Sequence, residues 1–350
     1  MSRGGRNLIV VGGGPVGLYT AIVAAQAGLS VSVVESRADP IDKACGEGLM
    51  PSAVERLASI EVDPAGRDFD GITYLSADGA SRSHASFPHE PGRGVQRVVL
   101  HEALSVRAKE LNVRRVHARV VGVSQNDDTT TAHLASGVDV SGDYLVGADG
   151  LHSTVRREVG LVPTAARRGR YGLRQHYLVE PWSSAVEVYW GRGAEAYVTP
   201  ISDDAVGVAI LGRRDAASFN ERLTAFPALA DRLRAAAAVG AVLGAGPLRQ
   251  AVKARVRGRV LLVGDAAGYV DALTGEGLAV GFASAHALVS AVETNQGARY
   301  ERDWRRVTRD YRWLTQSLLV ATRSESARRL LVPTATRLPK IFTAAVGRLS

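Results

Sequence analysis

The 350-residue sequence has very little cysteine, and its one thiol limits the sites that the chain can build. Cys45 alone excludes a disulfide within the chain and any metal site made only of cysteines. The eight histidines show no metal-ligand spacing, so we expect no metal centre. Such sparing use of cysteine is typical of reducing compartments and predicts an intracellular protein.

Long hydrophobic runs are also missing. No apolar stretch reaches the roughly 20 residues that a helix needs to span a bilayer. The heptapeptide MSRGGRN leads directly into an apolar run, which leaves no room for a signal peptide. We therefore expect a cytoplasmic protein.

Acidic residues are fewer than basic ones, and the formal net charge is +8. The arginines are scattered and no nucleic-acid-binding motif accompanies them, so we expect no nucleic-acid partner. The positive charge suits an anionic cofactor or an anionic membrane surface instead. With 46% apolar residues, the chain is long enough for one large or two medium domains.

The rest of the chain is organised around residues 8–17, LIVVGGGPVG, where an apolar run ends in glycine and a helix is expected to begin. Gly12 permits a tight turn, Gly14 lets the backbone approach a phosphate, and Gly17 lets the helix pack on its strand. The free N–H groups and the positive end of the helix dipole favour an anion. This stretch therefore predicts a pyrophosphate site.

A second strand, 31–34, ends in Glu35, and this carboxylate follows Gly17 by 18 residues. At that distance it can accept hydrogen bonds from the two hydroxyls of an adenosine ribose. It would repel a 2′-phosphate, so the pattern favours FAD or NAD over NADP.

Two later stretches also indicate a strand that turns into a helix. GADGLHSTVR, residues 147–156, has Asp149 and Gly150 at its turn. A buried strand over 260–263 leads to Gly264 and Asp265, and a long helix of small residues is expected from about Gly277.

Between these stretches the sequence favours antiparallel strands. Residues 170–211 indicate three or four strands in succession, and Asp78-Gly79 indicates a hairpin. Residues 216–239 resemble a helix interrupted at Pro227, and Gly246-Pro247 is expected to open a further strand.

The loop DKACGEGLMP places small residues on both sides of Cys45. It is typical either of a backbone pressed against something flat or of a glycine-rich connection with a buried thiol. No histidine follows within the loop, and the nearby Lys43 is accompanied by Asp42 and Glu47. We therefore expect a largely protonated Cys45 that acts through shape and polarity, not as a nucleophile.

The C-terminal region has two features. Apolar side chains recur at spacings of three and four and predict one helix that packs on the body of the protein: Tyr300, Trp304, Val307, Tyr311, Leu314 and Leu318. Beyond Glu325 the chain has five basic residues, no acidic one and several apolar ones. That segment is either a contact with anionic lipid or a plain extension.

The three motifs GGGPVG with Glu35, GADGLHSTVR and VLLVGDAAGYVDALTGEGL, taken in this order, resemble one superfamily. It contains the FAD-dependent aromatic hydroxylases (class A flavoprotein monooxygenases) and the geranylgeranyl reductases. The resemblance covers about residues 1–300. It implies FAD as cofactor and NADPH or NADH as reductant, bound transiently because no second G-x-G-x-x-G follows a strand.

The resemblance also implies site residues. Arg97 would contact the FAD phosphates, Asp265 the ribityl chain, and Arg156 both FAD and the pyridine nucleotide. The implied cofactor-binding set is Gly12, Gly14, Pro15, Gly17, Glu35, Arg97, Asp149, Gly150, Arg156, Gly264, Asp265, Gly275, Gly277 and Leu278. The implied catalytic set is Cys45, Gly277 and Leu278, since the helix start at Gly277 would face the flavin pyrimidine edge.

The sequence departs from both branches of the superfamily. Gly268 replaces a histidine of many hydroxylases, and Ala272 replaces the usual proline. CGEGLMP resembles the reductases, whereas EAYVTP at 195–200 lacks their tryptophan. His176, Tyr189 and Tyr197, on expected strands, are candidates to assist phenol deprotonation.

These features predict an α/β protein with a Rossmann-like FAD-binding domain, an interleaved antiparallel-sheet substrate domain and C-terminal helices. The expected FAD-binding domain comprises 1–72, 97–162 and 253–298; the substrate domain comprises 73–96 and 163–252; the helical segment is 299–350. The favoured function is hydroxylation of an aromatic or polyketide-like apolar substrate in secondary metabolism. The alternatives are saturation of isoprenoid double bonds and FAD binding without turnover.

Overall fold

The computed structural model describes residues 6–163, 169–322 and 324–347. Its strands are β1 (Asn7–Val11), β2 (Ser30–Glu35), β3 (Gly48–Leu49), β4 (Arg67–Phe69), β5 (Gly71–Ser76), β6 (Arg82–Ser86), β7 (Gly92–Gly94), β8 (Arg114–His117), β9 (Val120–Gln125), β10 (Thr130–Leu134), β11 (Asp139–Gly142), β12 (Tyr144–Gly147), β13 (Tyr171–Leu178), β14 (Val186–Trp190), β15 (Glu195–Pro200), β16 (Ala205–Gly212), β17 (Ala237–Ala245), β18 (Val256–Arg257) and β19 (Val260–Leu262). Its helices are α1 (Pro15–Gln26), α2 (Pro51–Ser59), α3 (Arg97–Glu110), α4 (Thr154–Glu158), α5 (Phe219–Leu223), α6 (Pro227–Leu233), α7 (Gly277–Glu293), α8 (Arg299–Val307), α9 (Arg309–Ala321), α10 (Glu325–Arg337) and α11 (Pro339–Val346), with a 3₁₀ turn at Gly264–Ala267.

A six-stranded sheet in the order β18-β19-β12-β1-β2-β8 carries the glycine turns. Strands β19, β12, β1, β2 and β8 run parallel, and only the edge strand β18 is antiparallel. The carboxyl ends of parallel strands meet at one edge of a sheet, where ligands bind in open α/β folds. Glu35 and the turns after β1, β12 and β19 therefore lie along the same edge.

A second sheet of seven strands has the order β17-β13-β16-β15-β14-β5-β6. Its pairs are antiparallel except for β14 with β5. One face packs on α5 and α6 through a core that includes Tyr189, Phe219 and Phe226. The other face lies towards the glycine turns. A parallel α/β unit beside a mainly antiparallel sheet confirms the predicted fold class.

Two local predictions in the second sheet were wrong. The helix expected over 216–239 ends at Leu233, and β17 follows it as an edge strand on β13. Alanine has the highest helix propensity, but tertiary contacts override intrinsic propensity, and AAVGAVLGA pairs with the sheet edge at β13 instead. No strand of the described chain begins at Gly246-Pro247, which contains a cis peptide bond.

The predicted C-terminal stripe is also divided. Helix α8 ends at Val307 and α9 begins at Arg309, so that Val307 is 36% exposed while Thr308 is fully buried. The Thr308 hydroxyl is hydrogen-bonded to the Trp304 carbonyl at 2.8 Å, which lets a polar residue occupy the buried position. Among the described residues, no helix is long and apolar enough to cross a membrane.

Candidate cofactor and substrate site

One cavity of about 640 Å³ runs from the edge of the parallel sheet to the inner face of the second sheet. We call its two parts the cofactor end and the sheet end. The cofactor end is lined by Gly12, Gly14, Glu35, Arg97, Asp149 and Asp265. The sheet end is lined by Ile72, Tyr74, Val186, Val188, Tyr197 and Leu273. Its size is within the range of small-molecule sites, about 300–1,000 Å³.

The glycine turn after β1 leaves no room for side chains on its inner side. Gly12 has a φ of +112°, and a Cβ there would lie 2.5 Å from the Ala148 carbonyl oxygen. A Cβ on Gly17 would overlap the Gly12 carbonyl, so Gly17 packs α1 on its strand and does not line the cavity. A Cβ on Gly14 would instead point into the cavity, 4.0 Å from Arg97 Nη2.

Arg97 faces this turn from the first position of α3. Its backbone N–H donates to Glu47 Oε1 at 3.0 Å, and its Nη1 lies 4.0 Å from Cys45 Sγ. Its Nε is buried without a hydrogen-bond partner among the described residues. A buried guanidinium donor that is left unpaired opposite a glycine turn and a helix N-terminus fits a phosphate group.

Glu35 is buried at the carboxyl end of β2 and holds the adjoining turns together. Its carboxylate accepts the backbone N–H groups of Gly13 and Arg37, each at 2.9 Å, and is paired with the Arg37 side chain at 3.0 Å. Burial acts to raise the pKa of Glu35, but these hydrogen bonds outweigh it and lower the pKa to about 2. The carboxylate is therefore an acceptor at any physiological pH.

Asp149 and Gly150 line the cavity, whereas Arg156 lies behind it. Asp149 Oδ2 accepts the Thr154 N–H at 2.6 Å at the start of α4, and burial raises the pKa of this carboxyl. Arg156 donates to the carbonyl oxygens of Leu151 at 2.6 Å and Ala266 at 3.1 Å. It therefore braces the 3₁₀ turn that carries Asp265 from the far side.

The start of α7 forms one wall between the two ends of the cavity. Gly264 and Gly275 have φ values of +61° and +71°, and Gly275, Gly277 and Leu278 line the cavity. Glu276 lies behind them with Oε2 buried and unpaired among the described residues. Burial raises the pKa of Glu276 to about 7. Asp265 is paired with Lys43 across the cavity at 3.5 Å.

A buried polar network lies next to Cys45 and was not predicted from the sequence. Glu47 Oε2 is 2.7 Å from His176 Nε2, and Arg174 bridges this pair to Asp42. Arg174 Nη1 donates to His176 Nδ1 at 3.3 Å, so His176 carries its proton on Nε2 and donates it to Glu47. The sequence placed Glu47 in the Cys45 loop, but no motif linked it to a strand about 130 residues away.

Cys45 lines the cavity at this network. Its sulfur accepts the Glu47 N–H at 3.4 Å and faces Arg97. Glu47 itself adopts a left-handed conformation with a φ of +60° and is 3% exposed. The loop therefore turns its thiol towards the cavity and its carboxylate towards the second sheet.

The three residues expected to assist proton transfer do not all face the cavity. Tyr189 is fully buried on the opposite face of the second sheet, where its hydroxyl donates to Glu187 at 2.7 Å, so the hypothesis was wrong for Tyr189. Tyr197 lines the cavity and donates to the Leu273 carbonyl at 2.9 Å. His176 reaches the cavity only through Glu47.

Helix α11 packs behind the lining of the sheet end. The Tyr74 ring lies 5.3 Å from the Trp190 ring and 4.6 Å from the Phe342 ring of α11, measured between centroids. Phe342 and Val346 are buried against β5, β6 and β14. Part of the segment expected to contact lipid therefore packs on the protein.

Comparisons with known proteins agree with this geometry. Residues 6–299 match the model of a family described as FAD binding domain. A dialkyldecalin synthase of Streptomyces rugosporus is 31% identical over 304 residues, which are 80% of this chain and 63% of that protein. A digeranylgeranylglycerophospholipid reductase 2 of Methanosphaera stadtmanae is 25% identical over 78% of this chain and 74% of its own.

A solved structure also matches. The p-nitrophenol 4-monooxygenase PnpA of Pseudomonas putida DLL-E4 is 20% identical with a TM-score of 0.74, covering 99% of this chain and 95% of its own. At this identity the likeness shows the fold.

Proposed function

Because the chain belongs to the family of the FAD binding domain, a family of FAD-dependent oxidoreductases, we propose that it is an NAD(P)H-dependent monooxygenase. Its proposed substrate is a compact aromatic or polyketide-like apolar molecule of secondary metabolism. Membership of this family is what the resemblance to FAD-dependent hydroxylases and geranylgeranyl reductases predicted.

The observation that carries the proposal is the single cavity that joins both ends. At the cofactor end, Arg97 and the turn at Gly12 and Gly14 would hold the FAD pyrophosphate, Glu35 the adenosine ribose and Asp265 the ribityl chain. When bound, FAD supplies the two-electron redox chemistry that side chains lack. The N-terminus of α7 stabilises nearby negative charge by about 0.3–2 kcal/mol.

The shape of the sheet end supports a compact substrate. Tyr74 lines the cavity, and the rings of Trp190 and Phe342 pack behind it. Apolar side chains there exclude water and hold an apolar molecule by burial. Glu47 lines the cavity beside Cys45 and is hydrogen-bonded to His176, so this pair is our candidate route for a proton that leaves the cavity.

Reduction of isoprenoid double bonds is the second candidate. The Cys45 loop resembles the reductase branch, and reductases of digeranylgeranylglycerophospholipids are among the relatives. A long isoprenoid chain would require the aromatic cluster at the sheet end to move aside. We place hydroxylation first for that reason.

Paired assays distinguish these activities in the purified, FAD-loaded protein. We expect oxygen uptake with NADPH or NADH and a phenolic or polyketide-like panel, with products heavier by one oxygen in mass spectrometry. Anaerobic saturation of a polyprenyl substrate without oxygen uptake would favour the reductase. Product formation without consumption of NAD(P)H or oxygen would overturn both redox proposals and favour ring-forming chemistry, as the name of the dialkyldecalin synthase suggests.

We also propose that the protein is cytoplasmic and contacts anionic membranes peripherally. Leu330, Leu338 and Trp313 are exposed, and Trp313, at 63%, shares α9 with the exposed Arg309. An exposed tryptophan beside arginines suits an anionic lipid surface. Wild-type protein should co-sediment with phosphatidylglycerol vesicles more than with phosphatidylcholine vesicles, and Trp313→Ala should reduce that difference; equal sedimentation would overturn the proposal.

A further inference from the structure

A second cavity, of about 420 Å³, lies behind the wall of the first. Gly264, Asp265, Tyr269 and Gly277 line both cavities, so one layer of residues separates them. The far side is formed by α8, α9 and the residue between them, which contribute Trp304, Thr308, Tyr311, Arg312 and Gln316. None of the motifs recognised in the sequence assigns a role to this space.

The charges around the second cavity favour an anion. Its lining has three arginines, Arg249, Arg255 and Arg312, and a single carboxylate, Asp265. Asp265 is already paired with Lys43 on the side of the first cavity. The first turns of α7 also line the space, and their N-terminal end carries positive partial charge.

Arg312 is the residue that is available to a ligand. Arg255 is paired with Glu301 at 3.1 Å and donates to the Ala267 carbonyl at 3.2 Å. Arg312 makes no ion pair with any residue that the structure describes; its guanidinium lies 5.0 Å from the centroid of the Trp304 ring. Stacking on an aromatic ring orients a guanidinium and leaves its N–H groups free to bind an anion in a bidentate manner.

We propose that the second cavity binds a small planar anion, whose carboxylate or phosphate group pairs with Arg312. Its planar part would lie against the aromatic side chains of Tyr269 and Tyr311, which also line the space. The volume is that of a small-molecule site, about 300–1,000 Å³. A simple inorganic ion would fill only part of it.

Occupancy of the second cavity bears on the first through their shared wall. A ligand there contacts Tyr269 and Gly277 from behind, and the same residues border the space assigned to FAD. If the ligand alters FAD affinity, FAD must alter the affinity of the ligand by the same factor. The site is therefore placed to couple a metabolite to the cofactor.

The test titrates the purified FAD-loaded protein with benzoate and, separately, with inorganic phosphate, at constant ionic strength, by calorimetry. We expect saturable binding of at least one probe with a Kd of about 1 mM or below. Arg312→Gln should weaken binding about tenfold or more, because it removes a charge-assisted pair. Arg312→Lys, which keeps the charge, should restore part of the affinity.

Arg309→Gln is the matched control. Arg309 lies on the same helix, is paired with the exposed Asp310 and does not line the cavity, so its loss should leave the Kd unchanged. Benzoate binding without phosphate binding identifies a carboxylate ligand, and the reverse identifies a phosphate ligand. No saturable binding of either probe, or equal Kd values for Arg312→Gln and wild type, overturns the proposal.

The proposal and the monooxygenase function can fail separately. A protein that is purified without FAD but binds benzoate through Arg312 would contradict the function and support the second site. A protein that carries redox-active FAD but binds neither anion would be consistent with the function and would contradict the second site. Circular dichroism and thermal melting of each variant show whether weakened binding reflects loss of the fold.

Discussion

The two ends of the large cavity are built in different ways. The cofactor end consists of backbone turns and charged groups, with Gly12, Gly14 and Arg97 close together around a space suited to a phosphate. The sheet end consists of side chains from strands that are far apart in sequence, such as Tyr74 and Tyr197. The cofactor end holds backbone and charged groups at fixed positions, whereas the sheet end provides a cavity whose shape is set by side chains.

This difference indicates which end of the cavity tolerates amino-acid substitutions. A glycine turn in contact with backbone atoms tolerates no added carbon, whereas apolar walls accept changes of volume at modest cost. The chemistry is therefore held constant at one end while the choice of substrate can change at the other.

The largest expected effect is that of Gly17→Ala. The new Cβ would overlap the Gly12 carbonyl, which belongs to backbone and cannot rotate away, so α1 must separate from its strand. We expect a loss of about 3 kcal/mol or more in unfolding free energy and loss of bound FAD. Thermal melting and the flavin-to-protein absorbance ratio measure both.

Gly28→Ala is the control for that substitution. Gly28 has a φ of +81° but no atom within 4 Å of its Cβ position, so strain alone should cost about 1–2 kcal/mol. FAD should remain bound. Equal losses of stability and of bound FAD in the two variants would show that crowding around Gly17 does not cause the effect.

The second expected effect is on cofactor affinity. Arg97→Gln removes the guanidinium opposite Gly14, whose Nε is buried, and a lost charge-assisted hydrogen bond costs about 1.5–3 kcal/mol. The Kd for FAD in the stripped protein should rise by about ten- to a hundredfold. Lys109→Gln, an exposed position on the same helix, should leave it unchanged; an unchanged Kd for Arg97→Gln would remove Arg97 from the site.

The third effect depends on pH. Folding raises the pKa of Glu276 from 4.5 to about 7, so the native state binds more protons than the unfolded state between those values. Stability from this group is full below about pH 4.5 and is lost as the pH rises through 7. Glu276→Gln should therefore stabilise the protein at pH 8, by about 1–3 kcal/mol, and have little effect at pH 4.

Denaturant melts of wild type and Glu276→Gln across pH 4–8 measure this difference. Glu293→Gln, at the exposed last position of α7, the helix that Glu276 caps, removes the same charge and should show no such slope. A stabilisation that is equal at both ends of the pH range would contradict the assigned ionisation.

The smallest effect on the cofactor is expected at the sheet end. Val188→Phe adds volume to the lining, so KM for the substrate should rise about tenfold, or preference should move to smaller substrates. The Kd for FAD should stay within about twofold, since no cofactor-end contact changes. Leu178→Phe, exposed on β13, should alter neither; a matching loss of FAD affinity in Val188→Phe would show that the ends are not separate.

The sequence predicted that the residues of the cofactor end lie together because each of them belongs to a short contiguous motif. Gly12, Glu35 and Asp265 all meet at one edge of the parallel sheet, as the strand-to-helix pattern required. Gly17 and Arg156 support that edge from behind and do not line it. The roles of all these residues in binding FAD remain predictions.

The rest depended on tertiary contacts that no local pattern contains. Tyr189 and Val188 are neighbours in sequence, yet the period of two in a strand places them on opposite faces of the sheet. The hydrogen bond between Glu47 and His176 joins the Cys45 loop to β13. Thr308 takes the buried position that was expected for Val307, because α8 ends at Val307. Register and helix boundaries are the parts of a fold that single-sequence patterns specify least.

The strand order of the parallel sheet has a consequence for how the protein folds. Leu8 registers with Tyr144 and Leu145 with Val260, so the central strands join segments that are separated by more than a hundred residues. Contacts of such long range slow folding, because the entropy of loop closure must be overcome before they form. The turns that would hold FAD come together only after β19 has docked. A cofactor that bridges them would stabilise the folded state, and a cell short of flavin would accumulate a less stable, more easily degraded form of the chain.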